Sequence, residues 1–537
     1  MLSERRHRRR RAVAAGAATV ALALTLAPSA LAGTTYYASP SGGATDCSQA
    51  TPCSLAQAAT TLFGGNTLIL EPGQYSFAGP SPITFAPNLT VEGQPGAPAP
   101  VITSTAATNS IDFPGGNTLS YVDFESAGGF SLTLGHDSNV SQVSVQAAAD
   151  PGSVPVCDMH ANGTMMDSVC IDTGSTGSAW GATDTGAATV TLYNDTFYAA
   201  QSGAYAMWLD QTASGGADDV TATNVIALNG AGATDVDAAS DGSDATITMM
   251  GSDYRAPFDG SNGGAMHGNV VAAGGNFAAA PDFVNAAAGD LHELANDPTI
   301  GAGLLGLSSD GPLDVAGNPR TVAGTVDMGA FEYQPPATPT LTAPATDTAG
   351  QAISFSGAET DPNPGAGTIT YSWKFDDGAT ATGAAVVHAF ATAGPHTATL
   401  TVGDGSPYTA SATAQLAIVP PAPHISAAAA HPAKRKHGYG AKLTFSLNFA
   451  ASAQVTVAER LHGKRVGGRC QGALARAART HRCPSSKQLT STSIAATAGR
   501  NTVVLGRRYP PGRYTATITA TNATGSTRPV TLNFRVP

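Results

Sequence analysis

Between Gly33 and Gln334 the chain has no lysine, and its only arginines are Arg255 and Arg320, set against 30 Asp and Glu. A stretch so poor in cations excludes a catalytic centre built from several Lys or Arg. Charged residues of either sign make up only 12% of the chain and aromatics 6%, with three Trp. Helix-capping patterns and i,i+4 charge pairs are almost absent after the N-terminus, which argues against long surface helices. No apolar run after the N-terminus is long enough to span a bilayer. What is abundant is Gly, Ala, Ser and Thr with Asn and Asp, a mixture that favours β-segments joined by tight turns. At 537 residues the chain exceeds one ordinary core, so two to four domains are expected.

The net charge of −11 hides a partition. Residues 1–32 carry six Arg against Glu4 (+5), residues 33–335 two Arg against 30 acids (−28), residues 336–423 Lys374 against six acids (−5), and residues 424–537 eighteen Lys and Arg against Glu459 (+17); these sum to −11. Opposite ends with such fields seek different partners. Residues 1–32 read as an export signal: RRHRRRR supplies the basic region, AVAAGAATVALALTL the apolar core, and ALA before Gly33 the cleavage site. Export to an oxidising compartment agrees with six cysteines in three local pairs, Cys47 with Cys53, Cys157 with Cys170, and Cys470 with Cys483. Six cysteines permit 15 connectivities, and module boundaries favour nearest-neighbour disulfides. No pair has zinc-type spacing with histidines.

From Asn66 to Arg255 short β-like segments recur every 20 to 30 residues, each ending in Asn, Asp or Gly. Three share one apolar spacing: Leu119, Val122, Phe124; Val140, Val143, Val145; and Met166, Val169, Ile171. Self-similarity at this period marks a solenoid whose turns bury their apolar faces against one another. An open solenoid end exposes strand edges and needs a lid. YYASPSGGATDCSQATPCSLAQAATTLFGGNTLILEPGQY resembles the leading cap of secreted right-handed parallel β-helix proteins of the pectate-lyase-like group, with Leu55, Ala58, Ala59 and Leu62 as the apolar face of a short helix. DLHELANDPTIGAG and DVAGNPRTVAGTVDMGAFEY resemble the segment that closes such helices, where Arg320 is expected to be structural, paired with Asp314 or Asp327.

After a Pro/Thr linker (334–344), Trp373, Phe375, Asp377 and Gly378 with His388, Phe390, Gly394, Leu400, Val402 and Asp404 resemble a PKD domain, an all-β sandwich common in secreted and surface proteins; Lys374 and Asp376 depart from its usual turn. The period-2 runs after VPPAP argue for a second sandwich. It resembles the basic Ig-like or fibronectin-like C-terminal domains of secreted actinobacterial proteins. The expected organisation is a signal peptide (1–32), a right-handed parallel β-helix with N-terminal cap (33–335), a PKD-like sandwich (336–420) and a basic sandwich (421–537).

The resemblance to pectin-cleaving enzymes implies acids that hold Ca²⁺ against a uronate, and a basic residue that removes a proton. Arg255 beside Asp253 is the one candidate base. Asp218-Asp219 is the only paired-acid signature of the hydrolases on this fold. Asp235, Asp237, Asp241 and Asp244 could donate oxygens to calcium, the one cofactor the chain suggests, although their spacing does not match an EF-hand. His136, His160, His267 and His292 are scattered, as surface or turn residues are. Trp180, Tyr193, Tyr198, Tyr205 and Trp208 form the densest aromatic group and could stack on sugars, with about half of such side chains expected to point inward. The basic domain, with Lys434 to Lys436 and Arg507 to Arg513, suits an anionic wall polymer rather than nucleic acid, and no transmembrane segment is expected after signal removal. These features favour an exported, modular surface or secreted protein that binds carbohydrate or another extracellular polymer. The alternative is a lyase or glycoside hydrolase acting on acidic, uronate-type glycans.

Overall fold

The structure, a computed structural model, describes residues 33–77, 82–105, 108–149, 154–174, 177–183, 188–211, 218–240, 245–258, 268–307, 311–364, 367–466, 469–474 and 482–537. The expected export signal, Asp241, Asp244 and His267 lie outside the described residues. The protein is all-β: a right-handed parallel β-helix followed by two β-sandwiches.

A short helix, Leu55–Thr61, opens the β-helix. The Ser54 hydroxyl caps it by accepting the Gln57 amide at 3.2 Å. Leu55, Ala58 and Leu62 are buried, and the adjacent Cys47–Cys53 disulfide pins the loop before it.

Each later coil contributes one strand to each of three parallel sheets. In sheet I an outward row runs Thr35, Thr67, Thr90, Thr118, Asn139, Thr164, Thr191, Thr221, Thr248 through nine coils in unbroken register. Threonine suits this position because its branched carbon fits the pleat and its hydroxyl faces water. One residue on, Leu68, Val91, Leu119, Val140, Met165 and Leu192 fill the interior. Sheet II presents Tyr75, Ile102, Phe124, Val145, Cys170 and Phe197 inward, and sheet III presents Ile111, Leu132, Cys157, Trp180, Met207 and Val236. The Cys157–Cys170 disulfide therefore crosses the interior from sheet III to sheet II.

The Asn, Asp and Gly at segment ends are the corners. Tyr121, Gln142, Asp167, Asn194 and Asn224 each turn from sheet I to sheet II in the left-handed region, with φ between 49° and 57°. Asn and Asp tolerate that conformation at lower cost than other side chains. Their side chains also stack: Asn224 Nδ2 donates to Asn194 Oδ1 (3.0 Å), and Asn194 Nδ2 to Asp167 Oδ1 (3.3 Å). This corner explains the apolar spacing of two segments, since Leu119 faces in from sheet I and Val122 and Phe124 face in after the turn. The third segment departs from the expected register. Met165 and Cys170 face inward, whereas Val169 and Ile171 face out, because a one-residue slip exchanges the two faces of a strand.

Those outward apolar residues are not exposed. The closing segment, starting with the hairpin of Phe283–Asn285 and Asp290–Glu293, folds back along sheet II, and Leu291, Met328 and Ala330 cover Val169, Ile171, Tyr198, Ile226 and Leu228. It is tied down at Gln142 Nε2, which donates to the Asp314 carbonyl (2.8 Å), and at Asn224 Nδ2, which donates to the Leu304 carbonyl (3.0 Å). The segment is thus a side strap rather than an end plug.

The Pro/Thr stretch after it is not a free tether. Thr340–Thr342 pairs with Ile353–Ala358 in the first sandwich, and Tyr333, Tyr408, Val322, Ile300 and Ala295 form a buried cluster at the junction. The Tyr333 hydroxyl donates to Asp404 there at 2.8 Å. The first sandwich packs Phe355, Trp373, Phe375 and Phe390, and the second packs Phe445, Tyr514, Ile518 and Phe534. Cys470 and Cys483 are joined in the second.

Candidate functional site

Sheet III offers the most chemically varied outer face. Its register aligns Asp112, Thr133, Asp158, Gly181, Trp208, Asp237 and Phe258 in one outward row. Strands stand about 4.8 Å apart, which puts Trp208 one rung from Asp237 and two rungs, roughly 10 Å, from Asp158. Gly181 keeps the intervening rung low, and Pro155 packs where its side chain would project, since a Cβ would meet Pro155 Cγ at 2.3 Å.

A bulge adds Tyr205 to this face. Residues 205 and 208 would point to opposite sides of a regular strand. Here the Ala206 and Met207 amides both donate to the Asp235 carbonyl, at 3.0 Å each, and Ala206 and Met207 are both buried. Tyr205 and Trp208 emerge on the same side, half-buried, with Tyr205 hydrogen-bonded to Asp237. Bulges commonly re-aim side chains next to functional sites. Burial, and then the Asp237 charge, hold the Tyr205 hydroxyl above its ordinary pKa. At the other end of the row His160 Nε2 lies 3.7 Å from Asp158 Oδ2, and the His136 ring centroid is 6.0 Å from that of His160. The result is a half-buried indole and tyrosine in line with two buried carboxylates, Asp158 and Asp237, the aromatic pair supplying a surface on which sugar rings stack.

The other aromatics expected to share this role do not. Trp180 is fully buried, stacked on Phe197 at 5.8 Å, because it occupies the inward position of its strand. Tyr198 lies under the side strap, edge-on to Phe283 at 6.4 Å. Tyr193 faces outward on sheet I, a different face.

The candidate catalytic and calcium residues are likewise dispersed. Arg255 is committed to Asp235, with Nη2 3.2 Å from Oδ1 and Nε 3.3 Å from Oδ2, while Nη2 also donates to the Asn229 carbonyl at 2.6 Å. Asp235 is wholly buried and also accepts the Asn229 and Arg255 amides, both at 2.6 Å, so its oxygens are occupied. Asp235 and Asp237 also part company: the first ties down a turn and the second bonds Tyr205. Among the described residues no group of three His, Cys, Asp or Glu is arranged to hold a metal ion. Asp218 is buried and Asp219 exposed, on opposite faces of one strand, so they cannot act as a carboxylate pair. Asp253 is buried; one oxygen accepts the Ala279 amide at 2.9 Å, and burial foremost raises its pKa to about 7.

Two groupings escaped the sequence reading. In the first, Asp123 and Glu125 on sheet II face a groove of about 410 Å³ with Gln146, Asp290, His292 and Phe331. Burial, then Glu125, raise Asp123 to about 6. His292 Nδ1 lies 2.6 Å from Asp290 Oδ1, with the ring 4.1 Å from that of Phe331. The D-x-E spacing on a period-2 strand was the available signal. The second is a buried charge cluster. Arg320, fully buried, lies 3.5 Å from Asp167 and 3.9 Å from Glu332 and donates to the carbonyls of Asp327, Gly329 and Phe331. It therefore pairs with the Asp167 and Glu332 carboxylates rather than with those of Asp314 or Asp327. Asp167 is more than 150 residues away in sequence, so no local motif points to it.

Comparison with known proteins adds one family. Residues 333–418 match the PKD domain family. No curated protein matches the chain. Among solved structures, a two-domain fibronectin type-III segment of chicken tenascin aligns with 37% of this chain and 99% of its own at 12% identity and a TM-score of 0.19. Carbohydrate-binding modules of the β-sandwich superfamily align with 37% of this chain and 100% of theirs at 12% identity and 0.16. TM-scores this low carry no functional inference. The chain is a modular all-β protein in which a parallel β-helix precedes a stretch that matches the PKD domain.

Proposed function

We propose that this is an exported, extracellular protein whose β-helix binds polysaccharide along the outer face of sheet III. The PKD-like sandwich acts as a spacer, and the basic C-terminal domain attaches the protein to an anionic envelope polymer. The observation that carries this is the placing of Trp208 and Tyr205 on one outer face by the bulge, between Asp158 and Asp237. Residues 33–335 carry a net charge of −28, and the row itself is lined with carboxylates. A neutral glycan is favoured over a uronate polymer, which that field repels. The test is affinity electrophoresis of the full chain through gels of neutral glycans and of polygalacturonate. The wild type should be retarded by at least one neutral glycan and Trp208→Ala should not; equal retardation of the two proteins refutes the site.

A glycoside hydrolase is the second reading, favoured by the groove over sheet II. Asp123 and Glu125, two residues apart on one strand, both face this groove, which offers a bound glycan the pair of carboxyl groups that glycoside hydrolysis uses. Asp123, with its raised pKa, would be the acid and Glu125 the base. Release of reducing ends from a glycan that Trp208→Ala still cleaves, and Asp123→Asn does not, would establish it. A lyase is disfavoured because Arg255 is engaged with Asp235.

A further inference from the structure

The outer face of the larger sheet in the C-terminal sandwich carries an arrangement that needs a counter-ion. Arg513 stands directly across from Arg535 in the antiparallel register. The adjoining strand pairs Glu459 with Tyr514 at its last rung, so Arg460 falls one step further, in the same row as Arg513. All three are exposed. Like charges directly opposite one another destabilise a sheet, and Glu459 is the only carboxylate side chain between residues 424 and 537. Glu459 is half-buried on the opposite side of its strand, next to the core residue Tyr514, and does not neutralise the row. Among the described residues Arg460 reaches the Asn533 amide oxygen, at 3.4 Å, and no carboxylate.

Beside this row the same face is uncharged and rich in hydroxyls. Thr515 stands against Asn533, and Thr456, Ser491, Thr517 and Thr531 share the next row but one from the arginines. The aromatic residues of this sheet, Tyr514 and Phe534, point into the core. A face with cations along one margin, hydroxyls beside them and no aromatic platform does not suit single-stranded nucleic acid, whose bases stack on exposed rings. It suits a polymer that alternates phosphate with polyol.

We propose that Arg460, Arg513 and Arg535 are the docking row for a polyol-phosphate polymer, the phosphates pairing with the guanidinium groups and the polyol hydroxyls lying on the Thr and Ser rows. The inference rests on the reading of this domain as an attachment module, and names its site. Planar guanidinium forks hold phosphate oxygens in pairs, which ammonium groups do not.

The test titrates the full chain with a glycerol-phosphate polymer over a sodium chloride series, with a single-stranded oligonucleotide of equal phosphate count in a second arm. Arg513→Gln/Arg535→Gln should weaken polymer binding about tenfold or more and lower the salt slope by roughly two, one for each phosphate that no longer meets a guanidinium. Lys442→Gln/Arg500→Gln removes the same charge from the other sheet and should change affinity by less than about threefold. Equal losses in both double variants would overturn the site and leave the attachment reading standing. A wild type that binds neither probe would overturn both. Tighter binding of the oligonucleotide would overturn the ligand class. Folding is followed separately: relief of the Arg513–Arg535 repulsion should keep the unfolding midpoint of Arg535→Gln at or above that of the wild type at low salt.

Discussion

Replacing Arg320 with methionine removes the only cation from a buried cluster of acids while keeping an unbranched apolar side chain in its place. Arg320 is fully buried, donates to three carbonyls and lies within 3.9 Å of Asp167 and Glu332. Breaking a buried ion pair by deleting one partner costs about 3–5 kcal/mol when the other partner stays charged. Carboxylates of this cluster already resist ionisation. Burial foremost raises Glu332 to about 9 and Asp327 to about 6, and lifts Asp314 above its usual value. An acid whose folded pKa exceeds its unfolded value binds more protons when folded, so its contribution to stability is present at low pH and lost as pH rises through the folded value. Glu332 stays protonated in the fold at both pH 5 and pH 8, so the variant's pH dependence comes from Asp327: the wild type stops losing stability above about 6, and loss of the cation, which holds that value down, extends the loss to higher pH. The variant should therefore hold its side strap closed near pH 5, where the cost is mainly the unpaired carbonyls, about 1–3 kcal/mol. Near pH 8 the cost of holding Asp327 without its neighbouring cation is added. Hydrogen exchange of peptides spanning 313–333, corrected for intrinsic rates, measures this locally, which matters because a multidomain chain does not unfold in one step. At pH 8 opening should be faster than wild type by roughly two to four orders of magnitude, with a clearly smaller gap at pH 5. An acceleration of the same size at both pH values would refute the electrostatic account and leave the carbonyl clamp as the whole of Arg320's role.

Other perturbations separate core from site. Trp180→Ala should cost the β-helix about 3–5 kcal/mol, whereas Trp208→Ala, truncating a half-buried indole, should cost about 1–2 kcal/mol while losing glycan retardation; denaturant unfolding of both variants shows whether the two faces are correctly assigned. Asn194→Leu removes a side chain that bonds Asp167 and Asn224 and forces a left-handed φ on leucine, a loss of about 1–3 kcal/mol visible as a lower thermal midpoint. Replacing Cys157 and Cys170 with alanine opens a loop of 13 residues and should cost about 3 kcal/mol, detected as a β-helix transition shifted without change in the two sandwiches.

The β-helix was legible because its corners and its interior obey separate rules, and both leave marks in the chain. Asn and Asp at Asp167, Asn194 and Asn224 mark the left-handed turn, and Leu119, Val122, Phe124 and their counterparts mark the inward positions on either side of it. The reading slipped by one residue where both faces of a strand are apolar. Val169 and Ile171 are as hydrophobic as Met165 and Cys170, and periodicity alone cannot say which pair faces the interior. The same ambiguity misassigned the aromatics. Trp180 and Trp208 stand on neighbouring coils, yet one residue of register separates a core side chain from a surface one. Tyr205 reaches the surface through a bulge that no pattern announces.

Acids that are neighbours in the chain part company in the structure: Asp218 is buried and Asp219 exposed, and Asp235 holds Arg255 while Asp237 bonds Tyr205, so proximity in a strand is not proximity in space. Adjacent residues point to opposite faces, and acids share a face either two residues apart, as Asp123 and Glu125 do, or across coils, some 20 to 30 residues apart. Asp158 and Asp237 share an outer row three coil steps apart, and Asp167 at a corner meets Arg320 of the strap laid along sheet II. In a solenoid of this kind, chemistry is written down the columns, and a site emerges from sequence only after each coil is in register. The scarcity of Lys and Arg bears on this directly. Both cations in the β-helix are consumed in fastening it, Arg255 at a turn and Arg320 under the strap, so the outer face of sheet III is left to aromatic and carboxylate groups, a chemistry suited to holding sugars.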